Sequence, residues 1–152
     1  MKIIAVKAQE GAAPGARRAK CALLVERAIL TGAALPDREM GFLHHRRSFW
    51  PEFRRLASEA YGYQEARRGR FRPSPRDISN FLPVYDWLCW LRAQPDGERD
   101  LKIITAYAFG ASFGKLAARF GRSDERVRQW HRAALAAICG RFGKEIDQME
   151  AG

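Results

Sequence analysis

An all-α fold, a compact helical domain whose C-terminal part is a three-helix unit, is what this sequence predicts. Two observations carry that expectation. Apolar residues recur at spacings of three and four along several stretches, and Gly, Pro and Ser stand between those stretches where helices start and stop. A chain of 152 residues also suffices for one hydrophobic core without disulfide staples.

Residues 1–16 open on a short apolar run and pass into Gly, Ala and Pro, the composition of a flexible tail. Residues 17–73 read as a basic helical segment. From Arg17 to Thr31, Ala22, Leu23, Val25, Ala28, Ile29 and Leu30 keep helical spacing, with Arg18, Lys20 and Arg27 between them. A second, short helix is predicted at Trp50-Pro51-Glu52, capped by Ser48 and striped by Phe53, Leu56 and Ala57. Arg67, Arg68, Arg70 and Arg72 then surround Phe71 in a Pro-containing stretch that resists helix, a basic linker offered as an accessory contact to nucleic acid.

Residues 74–152 read as the helical core. Ser74-Pro75-Arg76-Asp77 supplies an N-cap, a first-turn proline and a first-turn acid. It leads into Ile78, Phe81, Leu82, Tyr85, Leu88, Cys89 and Leu91, a long helix with an expected kink at Pro83. Aromatics at such spacing are assigned to packing rather than to stacking on unpaired bases. Gln94-Pro95-Asp96-Gly97 is a turn, and helices are predicted near 98–109, 113–120 and 124–142.

Lys and Arg number 27 against 17 Asp and Glu, a net charge of +10, which favours a polyanionic partner. Residues 1–73 hold 15 basic and 7 acidic side chains, and so most of the excess. Cys21, Cys89 and Cys139 are odd in number, far apart and flanked by apolar residues, and read as buried thiols in a reducing compartment. No apolar run reaches the length of a membrane span and the opening run is too short for a secretion signal, so the expected location is cytoplasmic, at the nucleoid. His44, His45 and His131 lack ligand spacing, and no phosphate loop or nucleophile elbow occurs. The expectation is a protein that is not an enzyme and carries no metal or cofactor.

Function is concentrated in Phe113 to Ile138. Ser112 and Ser123 are placed to cap two helices, Gly121 to end the first, and the small Ala117 to let the two helices approach closely. In the second helix Val127, Trp130, Ala134, Leu135 and Ile138 fall on one side. Glu125, Arg128, Gln129 and Arg132 fall on the other, at i, i+3, i+4 and i+7. Arg suits the acceptors of guanine, Gln the paired groups of adenine and Glu the amino group of cytosine, so this face has the residue types that read base edges. Lys115, Arg119, Arg122, Arg126 and Arg132, with the Ser123 hydroxyl and the helix N-terminus, suit phosphates.

The stretch GASFGKLAARFGRSDERVRQWHRAALAAI resembles the helix-turn-helix of region four of bacterial sigma-70 factors, over about residues 98–142. The matching positions are Ser112, Leu116, Ala117, Gly121, Ser123, Val127, Arg128, Gln129, Ala134 and Leu135. That resemblance implies base-facing positions for Asp124, Glu125, Arg128 and Gln129. Two positions depart from it: Asp124 stands where the family usually has a base, and Trp130 where it has an aliphatic residue. Both imply a target other than an ordinary promoter element. The layout of a basic first helix, Trp50-Pro51-Glu52, an AYGY element at 60–63, a WLCWL helix at 87–91 and then the motif is also similar to an uncharacterised family of small proteins of alphaproteobacteria and their phages.

The leading expectation is a sequence-preferring binder of double-stranded DNA acting in transcription, with a second copy of the chain, in a homodimer, among its candidate partners. Two others stand beside it. One is a small-terminase-like subunit of phage DNA packaging; the other is a protein-interaction module that binds RNA polymerase.

Overall fold

In the computed structural model, which describes residues 13–34 and 71–150, every regular element is an α-helix. They are α1 (Pro14–Ala34), α2 (Pro75–Arg92), α3 (Gly97–Ala108), α4 (Phe113–Phe120) and α5 (Asp124–Gln148). The expected short helix at Trp50, the residues Arg67, Arg68 and Arg70, the His44-His45 pair and nearly all of the N-terminal tail lie outside the described residues.

α1 begins at Pro14, earlier than its apolar periodicity, because a proline in the first turn loses no hydrogen bond and already has a helical φ. Its stripe of Cys21, Leu24, Val25, Ala28 and Ile29 is buried. Thr31, also buried, donates its hydroxyl to the Arg27 carbonyl at 2.7 Å and so enters the core without an orphaned polar atom.

α2 starts as its sequence implies. Ser74 Oγ accepts from the Asp77 N–H at 3.1 Å while the Asp77 carboxylate accepts from the Ser74 N–H at 2.8 Å, a reciprocal capping box. Pro83 lies inside α2, which continues to Arg92. The Pro83 side chain is exposed, so its ring displaces nothing in the core. Phe81, Tyr85, Trp87, Leu88 and Leu91 are buried, consistent with aromatic spacing read as packing.

The turn from α2 to α3 is tight. Asp96 takes a left-handed conformation (φ 58°), and a Cβ at Gly97 would fall on the carbonyl oxygens of Leu91 and Arg92. Only glycine fits that approach. α3 then points its side chains two ways: Leu101, Ile104 and Ala108 enter the main core, while Ile103 enters a second, smaller cluster.

α5 runs past the expected end at 142 to Gln148. Its backbone breaks from helical geometry at Phe142 (φ −116°, ψ 22°). There the ring stacks on Trp87 (5.6 Å between centroids, 18° between planes) and meets Trp90 edge-on at 5.5 Å. Beyond the break Ile146 is fully buried, Glu145 accepts from the Trp87 indole N–H at 2.9 Å, and Arg17 of α1 donates to Asp147 at 2.8 Å. These partners lie in α1 and α2, which is why local spacing in α5 does not reveal the extension.

Cys21 and Cys139 are buried and Cys89 half-buried, all with free thiols. Burial, reinforced by nearby Cys139, pushes the Cys21 thiol up to about 12, so it stays protonated and inert at neutral pH. Among the described residues no helix is long and apolar enough to cross a membrane.

Candidate nucleic-acid interface

α4 and α5 are set against each other by two caps and one glycine. Ser112 Oγ accepts from the Lys115 N–H at 3.2 Å and Ser123 Oγ from the Arg126 N–H at 3.3 Å, so each helix starts where its serine stands. Gly121 is left-handed (φ 62°), and the Arg122 N–H returns to the Ala117 carbonyl at 3.0 Å, closing α4 and aiming the chain into α5. A Cβ at Gly121 would meet nothing within 4 Å, so Gly121→Ala is expected to cost only the backbone strain, about 1 kcal/mol. Urea denaturation reads that cost; a loss several times larger would mean that the turn needs more than a left-handed φ.

Beneath the turn lies the second cluster: Ile103, Leu116, Ala117 and Val127 buried, with Phe113, Phe120 and Trp130 half-buried around them. Ala117 (3% exposed) is the small residue at the close approach, and Val127 is 0% exposed. Full burial of a side chain of that size is worth roughly 1.5–3 kcal/mol. Val127 is thereby an anchor that fixes the rotation of α5 about its axis. Trp130 is held between the edge of Phe120 (6.3 Å) and the guanidinium of Arg99, 4.1 Å above its ring. Arg99 also pairs with Asp100 at 2.8 Å. A tryptophan is accommodated here because a cation on α3 covers the ring face that the small cluster leaves open.

With Val127 turned inward, Glu125, Arg126, Arg128, Gln129 and Arg132 are all exposed, as are Lys115, Arg119, Arg122 and Ser123. Residues 113–132 carry six basic and two acidic side chains. Among the described residues no carboxylate pairs with Arg122, Arg126 or Arg132, all three of which are exposed. Arg128 lies over the Phe113 ring at 5.3 Å, a cation–π contact at the first residue of α4.

Asp124 is exposed, yet its carboxylate leans toward the start of α4: a Cβ on Gly114 would lie 3.5 Å from Asp124 Oδ2. The acid there favours two positive helix ends at once, that of α4 and its own. Arg72 is exposed ahead of α2, a helix that packs chiefly on α1, α3 and α5 rather than on α4.

Sequence reasoning did not single out a ring cluster beside this face. Tyr107 stacks on Phe113 (4.7 Å, 18°), and His131 lies 4.7 Å from Tyr107 and 5.5 Å from Phe113. Burial lowers the His131 pKa from its ordinary value, which keeps the ring uncharged near neutral pH. In the sequence His131 stands out only as a histidine without ligand spacing.

A family model described as a domain of unknown function (DUF6362) matches residues 34–138. The match takes in α2, α3, α4, the turn and α5 as far as Ile138; it leaves out nearly all of α1 and the end of α5. Its description assigns neither a sigma-factor nor a helix-turn-helix class. No curated protein and no solved structure matches the chain.

Proposed function

The chain belongs to that DUF6362 family, and for this member we propose sequence-preferring binding of double-stranded DNA in transcriptional regulation of a bacterium or phage, with α5 entering the major groove. One observation carries the reading: Val127 is fully buried while its neighbours Arg128 and Gln129 are exposed, on a helix whose start is fixed by the Ser123 cap. A helix held in that rotation presents side chains able to read base edges at its N-terminal end.

In this arrangement Arg128 donates to guanine, Gln129 pairs with adenine and Glu125 accepts from cytosine. Lys115, Arg119, Arg122, Arg126 and Arg132 hold phosphates on either side, and the exposed Ser123 retains a hydroxyl proton for another. Asp124 contributes by steadying the start of α4 more than by reading a base. The likeness of residues 98–142 to sigma region four supports the same use of the turn. It also admits RNA polymerase as a partner.

The roles separate experimentally. Gln129→Ala is expected to relax preference at one base pair, a discrimination of about 1–3 kcal/mol, and leave binding to other sequences nearly unchanged. Arg126→Ala is expected to weaken every duplex alike and lower the salt slope by about one. Arg126 suits the test because its side chain is exposed and, among the described residues, pairs with no carboxylate, while the Ser123 cap uses only its backbone N–H. Fluorescence anisotropy on matched and mismatched duplexes checks both; equal losses on all sequences from both variants contradict the division.

A further inference from the structure

The rings beside the proposed reading face line a cavity of about 300 Å³. Arg18 reaches it from α1, Tyr107 from the end of α3, Phe113 from the start of α4, and Arg128, His131 and Arg132 from α5. Three guanidinium groups border it, and no carboxylate is among its lining residues. A separate, largely apolar recess of about 40 Å³ shares the Tyr107, His131 and Leu135 walls and has Glu26 as the one acid in its lining.

Three arginines around so small a volume call for a ligand with more than one negative charge, and their planar forks match phosphate oxygens. A free phosphate would leave the other wall without a purpose. Tyr107 is 41% exposed and stacked on Phe113, a platform whose outer face suits a planar ring. The uncharged His131 extends that aromatic wall instead of adding a fourth cation. Volume, cations and ring platform together describe one ligand class, since 300 Å³ is at the small end of ligand sites.

We propose that this cavity binds a nucleoside phosphate, with its base against Tyr107 and its phosphate between Arg18, Arg128 and Arg132. The site does not depend on α5 reading duplex DNA, because Arg18, Tyr107 and Phe113 take no part in that reading. The two are nonetheless coupled: Arg128 and Arg132 belong to both, so an occupied cavity withdraws two cations from DNA. A free nucleotide and the phosphorylated end of an unpaired strand share this chemistry.

Calorimetric titration of the full chain without duplex DNA tests it, with adenosine monophosphate, adenosine, inorganic phosphate and a short 5′-phosphorylated single strand as separate probes. Adenosine monophosphate is expected to saturate one site per chain and to bind about tenfold more tightly than adenosine or phosphate alone. Arg18→Gln and Tyr107→Ala, each checked for unchanged helix content by circular dichroism, should each weaken it about tenfold. Tighter binding of the strand than of the free nucleotide would identify nucleic acid as the source, and the reverse a soluble effector; both support the site. No saturable binding of either nucleotide probe at millimolar concentration, or binding that neither variant weakens, would overturn it.

Discussion

Asp77→Ala is expected to cost the fold about 3 kcal/mol, at the lower end of the range for breaking a buried ion pair. The Asp77 side chain is 2% exposed and takes two bonds from the Arg27 guanidinium, at 2.6 and 2.7 Å, besides those from the Ser74 backbone and hydroxyl. Alanine would remove the reciprocal half of the α2 cap and leave Arg27 without its partner against Phe71, whose ring lies 5.4 Å away. Arg27 is 28% exposed and can turn to water, which is why the lower end applies.

The same pair gives the fold a pH dependence of known sign. The Arg27 bonds, helped by Ser74, hold the Asp77 carboxyl down to about 2, below its value in an unfolded chain. Its contribution is therefore complete above the unfolded pKa and is lost as pH falls from about 4 to about 2, an expected loss of about 2 kcal/mol. Urea denaturation of wild type and Asp77→Ala across that range should show curves that converge toward acid. Parallel curves would mean that Asp77 is not held as described.

The second large effect concerns binding. If Lys115, Arg119, Arg122, Arg126 and Arg132 each neutralise one phosphate, five counterions leave the duplex, and log affinity should fall with log salt at a slope of about −4.5. Raising salt from about 50 to about 200 mM should then weaken binding several-hundred-fold. Anisotropy titrations at a series of salt concentrations measure the slope directly. A slope near −1 would remove the phosphate role from most of these residues.

The features legible in the sequence are those that neighbours in the chain determine. Ser74, Ser112 and Ser123 cap the helices that follow them, Gly121 takes the left-handed turn, and Val127 faces in while Arg128 and Gln129 face out, because capping and helical period act within a few residues. Features set across the chain were not legible. The Arg27–Asp77 pair joins residues 50 apart, and the cover of Arg99 over Trp130 joins α3 to α5. The cavity needs Arg18 of α1 brought against α5, and the run of α5 to Gln148 depends on Arg17 and Trp87. No local pattern records such pairings.

The central claim is that α5, locked by Val127, reads duplex DNA with Arg128 and Gln129. Selection of bound fragments from a random duplex pool, at about 100 mM salt, tests it most directly. Wild type should enrich a short common sequence, and a chain carrying both Arg128→Ala and Gln129→Ala should recover fragments without it while still binding DNA weakly. A recovered pool as random as the input, or the same sequence selected by the doubly substituted chain, would contradict the account.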